Sequence, residues 1–281
     1  MEYQSTLEQN DLKYGVNRMS SSLERGLTIL DLLSRQPEGM AVGQVASELD
    51  LPPSGVHRML KQLVDYGYVH QDGTKGAYML GMKLPALGLS FLAQSGITDV
   101  AQPILDRLAA QSRQLVRLSV IDGGNLVWVA VAQGATTGLR YDPGREQGAT
   151  AHLASSASGL AWLSTMSDED ALMKVAQQGF VQDCSGPGAP GSAADLIRRL
   201  EETRGKGYAI SIDSFIPGMA AIAAPIRSAD SVAIGSISVA GPSILLDVAQ
   251  MEALAPALLD AAREMAHAAG ASVYFRRQLR G

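Results

Sequence analysis

Residues 51–63 read LPPSGVHRMLKQL. Behind two prolines, Val56, Leu60, Leu63 and Val64 recur at helical spacing, and Ser54, His57, Arg58 and Lys61 fall on the opposite side. Pro53 suits a helix's first turn, where its missing N–H has no intrahelical partner to lose. No acidic residue interrupts the run, yet the chain as a whole is acidic. Its 281 residues carry 23 Lys and Arg against 28 Asp and Glu, a formal net charge of -5. Any contact with a polyanion must therefore come from a local patch.

The neighbouring sequence gives this helix a setting. Upstream, Ser21 or Ser22 can cap a helix carrying Leu23, Leu27, Leu30 and Leu33, which Pro37, Glu38 and Gly39 end. A short second helix holds Val42, Val45, Ala46 and Leu49. Downstream, Gly67 breaks the third helix, and YVHQDGTKGAYML (68–80) alternates as two strands around an Asp72-Gly73 turn. Three short helices and a hairpin in this order form the helix-turn-helix-plus-wing layout, which reads DNA. In it, the third helix offers hydroxyl, imidazole and cationic donors to base edges and phosphates. Lys75 in the hairpin turn, and Arg18 and Arg25 flanking the first helix, are placed to reach phosphates. The bland alternative is a solvated polar face, which any surface helix has.

GMKLPALGLSFLAQSG (81–96) is apolar around its girth and needs burial from more than one direction, as a linker helix packed on a second subunit would have. Beyond it, Val100, Ile104, Leu108 and Leu115 suggest a helix, and LVRLSVIDGGNLVWVAVAQG (115–134) two strands. Residues 153–206 read as helical, interrupted by DCSGPGAPGS. GYAISI, AAIAAPI and SVAIGSISVAG read as strands, and an Ala-rich helix marked by Val248, Met251, Leu254, Leu258 and Met265 closes the domain. Without regular strand–helix alternation the class is α+β. The expected organisation is an arm (1–19), a winged helix-turn-helix domain (20–81), a linker and dimerisation helix (82–97), a second domain (98–275) and a tail (276–281).

Residues 22–69, SLERGLTILDLLSRQPEGMAVGQVASELDLPPSGVHRMLKQLVDYGYV, followed by GAYMLGMKLPALG, resemble the winged-helix domain of IclR-type bacterial transcription regulators. The resemblance continues through AHLASSASGLAWL (151–163), GYAISIDSFIPGMAAIAAPI (207–226) and GSISVAGP (235–242), covering roughly residues 20–270. It implies a DNA-binding domain, a linker helix, a GAF-like effector domain, dimers that often pair into tetramers, and control by a small organic molecule. Four positions depart from the family pattern. Gly55 stands where a threonine is usual on the recognition helix, which loses a contact and weakens the helix by about 1 kcal/mol relative to Ala. Ala154 and Leu160 replace a frequent histidine and lysine, and Ala221 a frequent cysteine.

An effector site follows from residues and resemblance together. Ser155, Ser156 and Ser158 open a helix whose N-terminus suits a carboxylate, although Ser155 or Ser156 also serves as a plain N-cap. Strand alternation puts Ser236 and Ser238 on one face, where their hydroxyls need partners. Ser211 and Asp213 match positions near the family's pocket, and Met219 and Ala221 are soft or small wall residues with room for an aromatic guest. Arg140 or Arg145 could pair with the ligand's carboxylate. The expected partners are thus a small organic acid and double-stranded operator DNA.

Other chemistries lack their signatures. The single cysteine, Cys184, permits no internal disulfide and fits a reducing, cytoplasmic address. His57, His70, His152 and His267 lack metal-ligand spacing, so no metal and no cofactor is expected. GPGAPG (186–191) fits a dinucleotide-loop pattern but follows no strand. No nucleophile elbow occurs, and no enzyme is expected. No apolar run approaches the roughly 18 residues of a membrane span, and the polar start resembles no signal peptide.

Overall fold

The computed structural model of the chain describes residues 21–73, 76–142, 144–146, 148–180 and 185–278, and divides into two compact units, 1–92 and 93–281. Arg18, Lys75 and Cys184 lie outside the described residues.

In the first unit, α1 (Ser22–Ser34) begins with a capping box. The Ser21 hydroxyl accepts from the Glu24 N–H at 3.1 Å, and the Glu24 carboxylate accepts from the Ser21 N–H at 3.0 Å. Its buried side is Ile29, Leu32 and Leu33, whereas Leu23 and Leu27 are 71% and 54% exposed. The expected stripe through Leu23 and Leu27 is displaced because α1 offers two overlapping apolar arcs, and the one around Ile29 meets the following helices. Those are α2 (Val42–Glu48) and α3 (Pro53–Asp65), which starts on Pro53 as expected. Val56, Met59 and Leu60 of α3 join Val45, Leu49 and Ile29 in one core. The hairpin β1 (Val69–Gln71) and β2 (Tyr78–Leu80) closes that core with Val69 and Tyr78, and Met40 bridges to Tyr78 as an extra rung.

Helix α4 (Lys83–Ser95) runs from one unit into the other and ends at Gly96, whose left-handed backbone (φ 69°) precedes α5 (Ile97–Ser112). The expected helix over 82–97 is thus two residues shorter at its far end, because Ile97 already belongs to the next one. Leu115 does not continue α5 as the spacing suggested. Arg113 takes the left-handed conformation (φ 55°), stops the helix, and Leu115 opens β3.

The second unit is built on a five-stranded antiparallel sheet of order β4-β3-β7-β6-β5, with β3 (Leu115–Asp122), β4 (Asn125–Gln133), β5 (Ala209–Ile212), β6 (Met219–Arg227) and β7 (Ala233–Pro242). Helix α5 and the long α9 (Val248–Ala268) pack against one face. The other face is covered by α6 (Ala157–Leu163), which is buried along its whole length, and behind it by α7 (Asp168–Gln178) and α8 (Ala193–Lys206). A last helix, α10 (Val273–Gln278), crosses the boundary drawn at 275/276, because Phe275 is fully buried and anchors it. Just before it, the buried Ser272 hydroxyl donates to the Ser95 carbonyl at 2.8 Å. Among the described residues no helix is long and apolar enough to cross a membrane.

Candidate nucleic-acid interface and ligand cleft

Helix α3 divides cleanly by burial. Val56 and Leu60 are fully buried, while Ser54, His57, Arg58 and Lys61 are exposed. Gly55 is half-buried near the helix start, and a Cβ there would meet nothing within 4 Å. Lys61 pairs with Asp65 at 3.2 Å. Both partners are well exposed, so the pair is worth little and exchanges readily for a phosphate. Arg25 is half-buried on α1. The face therefore carries two cations, an imidazole and a hydroxyl in about two turns of helix, at the position from which the second helix of a helix-turn-helix enters a major groove.

The second unit contains a cleft of about 380 Å³, including its solvent-open part, between the α6 face of the sheet, the start of α6 and the residues joining β5 to β6. Its wall brings together Ser156, Ser158, Ser211, Met219, Ala221 and Ser238 of the expected residues. Ser155, Asp213 and Ser236 do not line it. Ser155 is spent inside the fold, its hydroxyl against His152 Nδ1 at 2.8 Å and its carbonyl accepting from the Ser211 hydroxyl at 2.8 Å. Asp213 (φ 49°) shapes the bend after β5, its carboxylate accepting from the Gly218 N–H at 2.6 Å. Ser156 is an N-cap: its hydroxyl accepts from the Gly159 N–H at 3.0 Å and donates to the His152 carbonyl at 2.7 Å. Helix α6 is only seven residues long, and its capping hydroxyl is committed. Its N-terminus is thus a weaker seat for a carboxylate than the sequence suggested.

The cleft's cation comes from the sheet. Arg140 is exposed and does not line the cleft, and the Arg145 side chain lies outside the description. Arg117, the third residue of β3, has a side chain only 5% exposed. Its Nη1 donates to Glu146 at 2.5 Å, its guanidinium lies 4.2 Å from the Trp128 ring centroid and 5.5 Å from that of Tyr141, and its Nε has no partner. The Tyr141 hydroxyl donates to the other oxygen of Glu146. Burial pushes the Tyr141 phenol well above its ordinary range, Arg117 opposing the shift and Glu146 adding to it, so the phenol stays a donor. In register, Arg117 is opposite Ser238, and Ser119 opposite Ser236. The hydroxyls of Ser119, Ser236 and Ser238 and the Trp128 Nε1 are all buried without a partner. Buried polar groups ordinarily find partners, so these four together with the Arg117 Nε on one sheet face mark a surface organised for a polar guest or ordered water. Sequence reading missed Arg117. Its signal was a charge inside the otherwise apolar strand LVRLSV. Among the described residues no three metal-ligating side chains gather.

Comparison with known proteins gives consistent results for both units. Residues 22–73 match the IclR helix-turn-helix domain, and residues 89–267 the domain described as bacterial transcriptional regulator IclR C-terminal. The chain is 30% identical over 244 residues to the HTH-type transcriptional regulator BhcR of Paracoccus denitrificans, covering 87% of this chain and 85% of that one. It is 26% identical over 254 residues to the HTH-type transcriptional repressor AllR of Escherichia coli, covering 89% and 91%. Among solved structures, an IclR regulator from Alicyclobacillus acidocaldarius superposes with a TM-score of 0.75 at 22% identity, over 88% of this chain and 98% of that one. An IclR homologue from Microbacterium hydrocarbonoxydans, complexed with 4-hydroxybenzoate, gives 0.71 at 24% identity, over 90% and 100%.

Proposed function

The chain belongs to the IclR family of bacterial transcriptional regulators, and we propose that α3 reads its operator while the cleft beside Arg117 takes a small organic acid that modulates the binding. The observation carrying the first half is the exposure of Ser54, His57, Arg58 and Lys61 opposite the buried Val56, Met59 and Leu60. This face supplies base-edge and phosphate donors from one element, and Arg25 on α1 is a further candidate for a backbone phosphate. A homodimer places one such helix in each half-site, about one helical turn of DNA apart. The α4 side chains Leu87, Leu89 and Phe91, 50%, 66% and 55% exposed, offer apolar surface on more than one side of the helix for that pairing.

The second half is supported by the partnerless Arg117 Nε and Ser238 hydroxyl at the cleft, and by the hydroxyl of Ser236 beneath it. Phe215, Met219 and Ala221 line the rest and favour an aromatic or branched acid. The Microbacterium homologue's 4-hydroxybenzoate belongs to that chemical class. The ligand acts only through its differential affinity for the DNA-competent and DNA-incompetent arrangements.

Operator binding by fluorescence anisotropy, at two salt concentrations, tests the reading helix. Arg58→Ala with Lys61→Ala is expected to weaken operator affinity by at least tenfold and to flatten the salt dependence by about one to two units of log–log slope, with an unchanged melting temperature. Wild-type affinity in the folded double variant would remove α3 from the interface.

A further inference from the structure

We infer that Glu146 is a built-in occupant of Arg117, and that an acid enters the cleft by exchanging its carboxylate for that of Glu146, so that acids are admitted and their neutral amides are not. The inference rests on the ligand reading above and deepens it.

The argument is one of charge and attachment. Arg117 is nearly buried, fixed in β3 between ladders to β4 and β7, and stacked on Trp128. It cannot follow a ligand outward. Glu146 sits outside the sheet, on a single 3-10 turn (Gly144–Glu146), and its side chain retains 19% exposure. Of the two partners, the carboxylate is the one with a way to water. Stripping the anion from a buried arginine leaves an uncompensated charge, which is strongly unfavourable. A neutral guest therefore cannot dislodge Glu146. A carboxylate can, because it restores the charge-assisted bonds that Glu146 gives up and gains the Arg117 Nε and Ser238 hydroxyl, both partnerless. Tyr141 and Arg117 both bind Glu146 and both line the cleft, so the incoming acid meets the same two donors. Glu146 thereby lowers the affinity for every acid while excluding uncharged analogues, a specificity obtained by an internal competitor.

Tryptophan fluorescence reads the exchange directly, since Trp128 lies against Arg117. Wild type, Glu146→Gln, Glu146→Asp and the double variant Arg117→Gln with Glu146→Gln are titrated with acetate, benzoate and benzamide, with circular dichroism as a fold check. Glu146→Gln is expected to bind benzoate at least tenfold more tightly than wild type and to respond to acetate, with no gain for benzamide. Glu146→Asp keeps the charge, retracts the carboxylate by one methylene, and gives a smaller gain in the same direction; it stands alone if Glu146→Gln fails to fold. The double variant is expected to have lost its preference for acid over amide. Equal benzoate affinity in wild type and the folded Glu146 variants, or an equal gain for benzamide, overturns the inference. Acids that bind wild type and the double variant alike leave the cleft as the effector site but remove the exchange. Acids that move none of the four proteins overturn both.

Discussion

His152 shows how a single buried side chain couples this fold to pH. Its Nδ1 accepts from the Ser155 N–H at 3.3 Å and faces the Ser155 hydroxyl at 2.8 Å, and its Nε2 faces the Gly179 carbonyl at 3.1 Å. A backbone N–H can only donate and a carbonyl can only accept, so the ring is neutral with its proton on Nε2. Burial holds its pKa below the ordinary 6.5, with the Gly179 bond opposing. The unfolded chain therefore takes up a proton first as pH falls, and stability present above pH 6.5 is lost progressively from there down to the folded-state pKa. Melting temperatures between pH 7.5 and pH 5 should fall more steeply in wild type than in His152→Gln, and parallel slopes would refute this. At this scale the sequence was legible where a residue's role is local, as with Ser21 and Pro53. It was not legible where the role depends on what folds over it. The serines at 155 and 156 read as ligand donors, but their hydroxyls are used to build the turn into α6. Arg117 went unremarked because nothing in the sequence brings Trp128, Tyr141 and Glu146 around it.

Two glycines make the same point for whole helices. In α3, a Cβ at Gly55 meets nothing within 4 Å, so Gly55→Ala is expected to stabilise by up to about 1 kcal/mol through helix propensity. In α6, a Cβ at Gly159 would lie 2.4 Å from the Leu153 carbonyl oxygen and 2.5 Å from its Cα. There Gly159→Ala should destabilise on the order of 2 kcal/mol, overpacking outweighing propensity. Denaturant titrations of the two variants give opposite shifts in midpoint if this is right, and shifts of one sign if it is not. Element order and type were largely readable, because caps, prolines and glycines act locally. The errors lie where tertiary packing chose between arcs or endpoints that sequence leaves equivalent. α1 turned Ile29 inward in preference to Leu23 and Leu27, Arg113 ended α5 before Leu115, and Phe275 drew the expected tail into a helix.

For the whole molecule, charge and apolar surface set the terms of assembly. Residues 1–92 hold eight Lys and Arg against ten Asp and Glu, so the DNA-binding unit has no basic excess with which to grip a duplex alone. In the proposed homodimer, two reading heads on one DNA compensate for weak single ones. Leu89→Glu on α4 is therefore expected to shift the protein toward monomer in sedimentation velocity and to weaken operator binding at least tenfold; an unchanged oligomer would detach α4 from the pairing. The bond from Ser272 to the Ser95 carbonyl has a further, practical meaning. With Phe275 fully buried behind it and the Tyr274 hydroxyl held by the Ile121 carbonyl at 3.0 Å, the last described helix is stitched to the residue on which α4 ends. A fluorophore, affinity handle or fusion partner attached just beyond residue 278 would pull on that stitch, and so on the C-terminal end of α4. A silent label belongs elsewhere, on the exposed turn at Gly123 and Gly124 between β3 and β4.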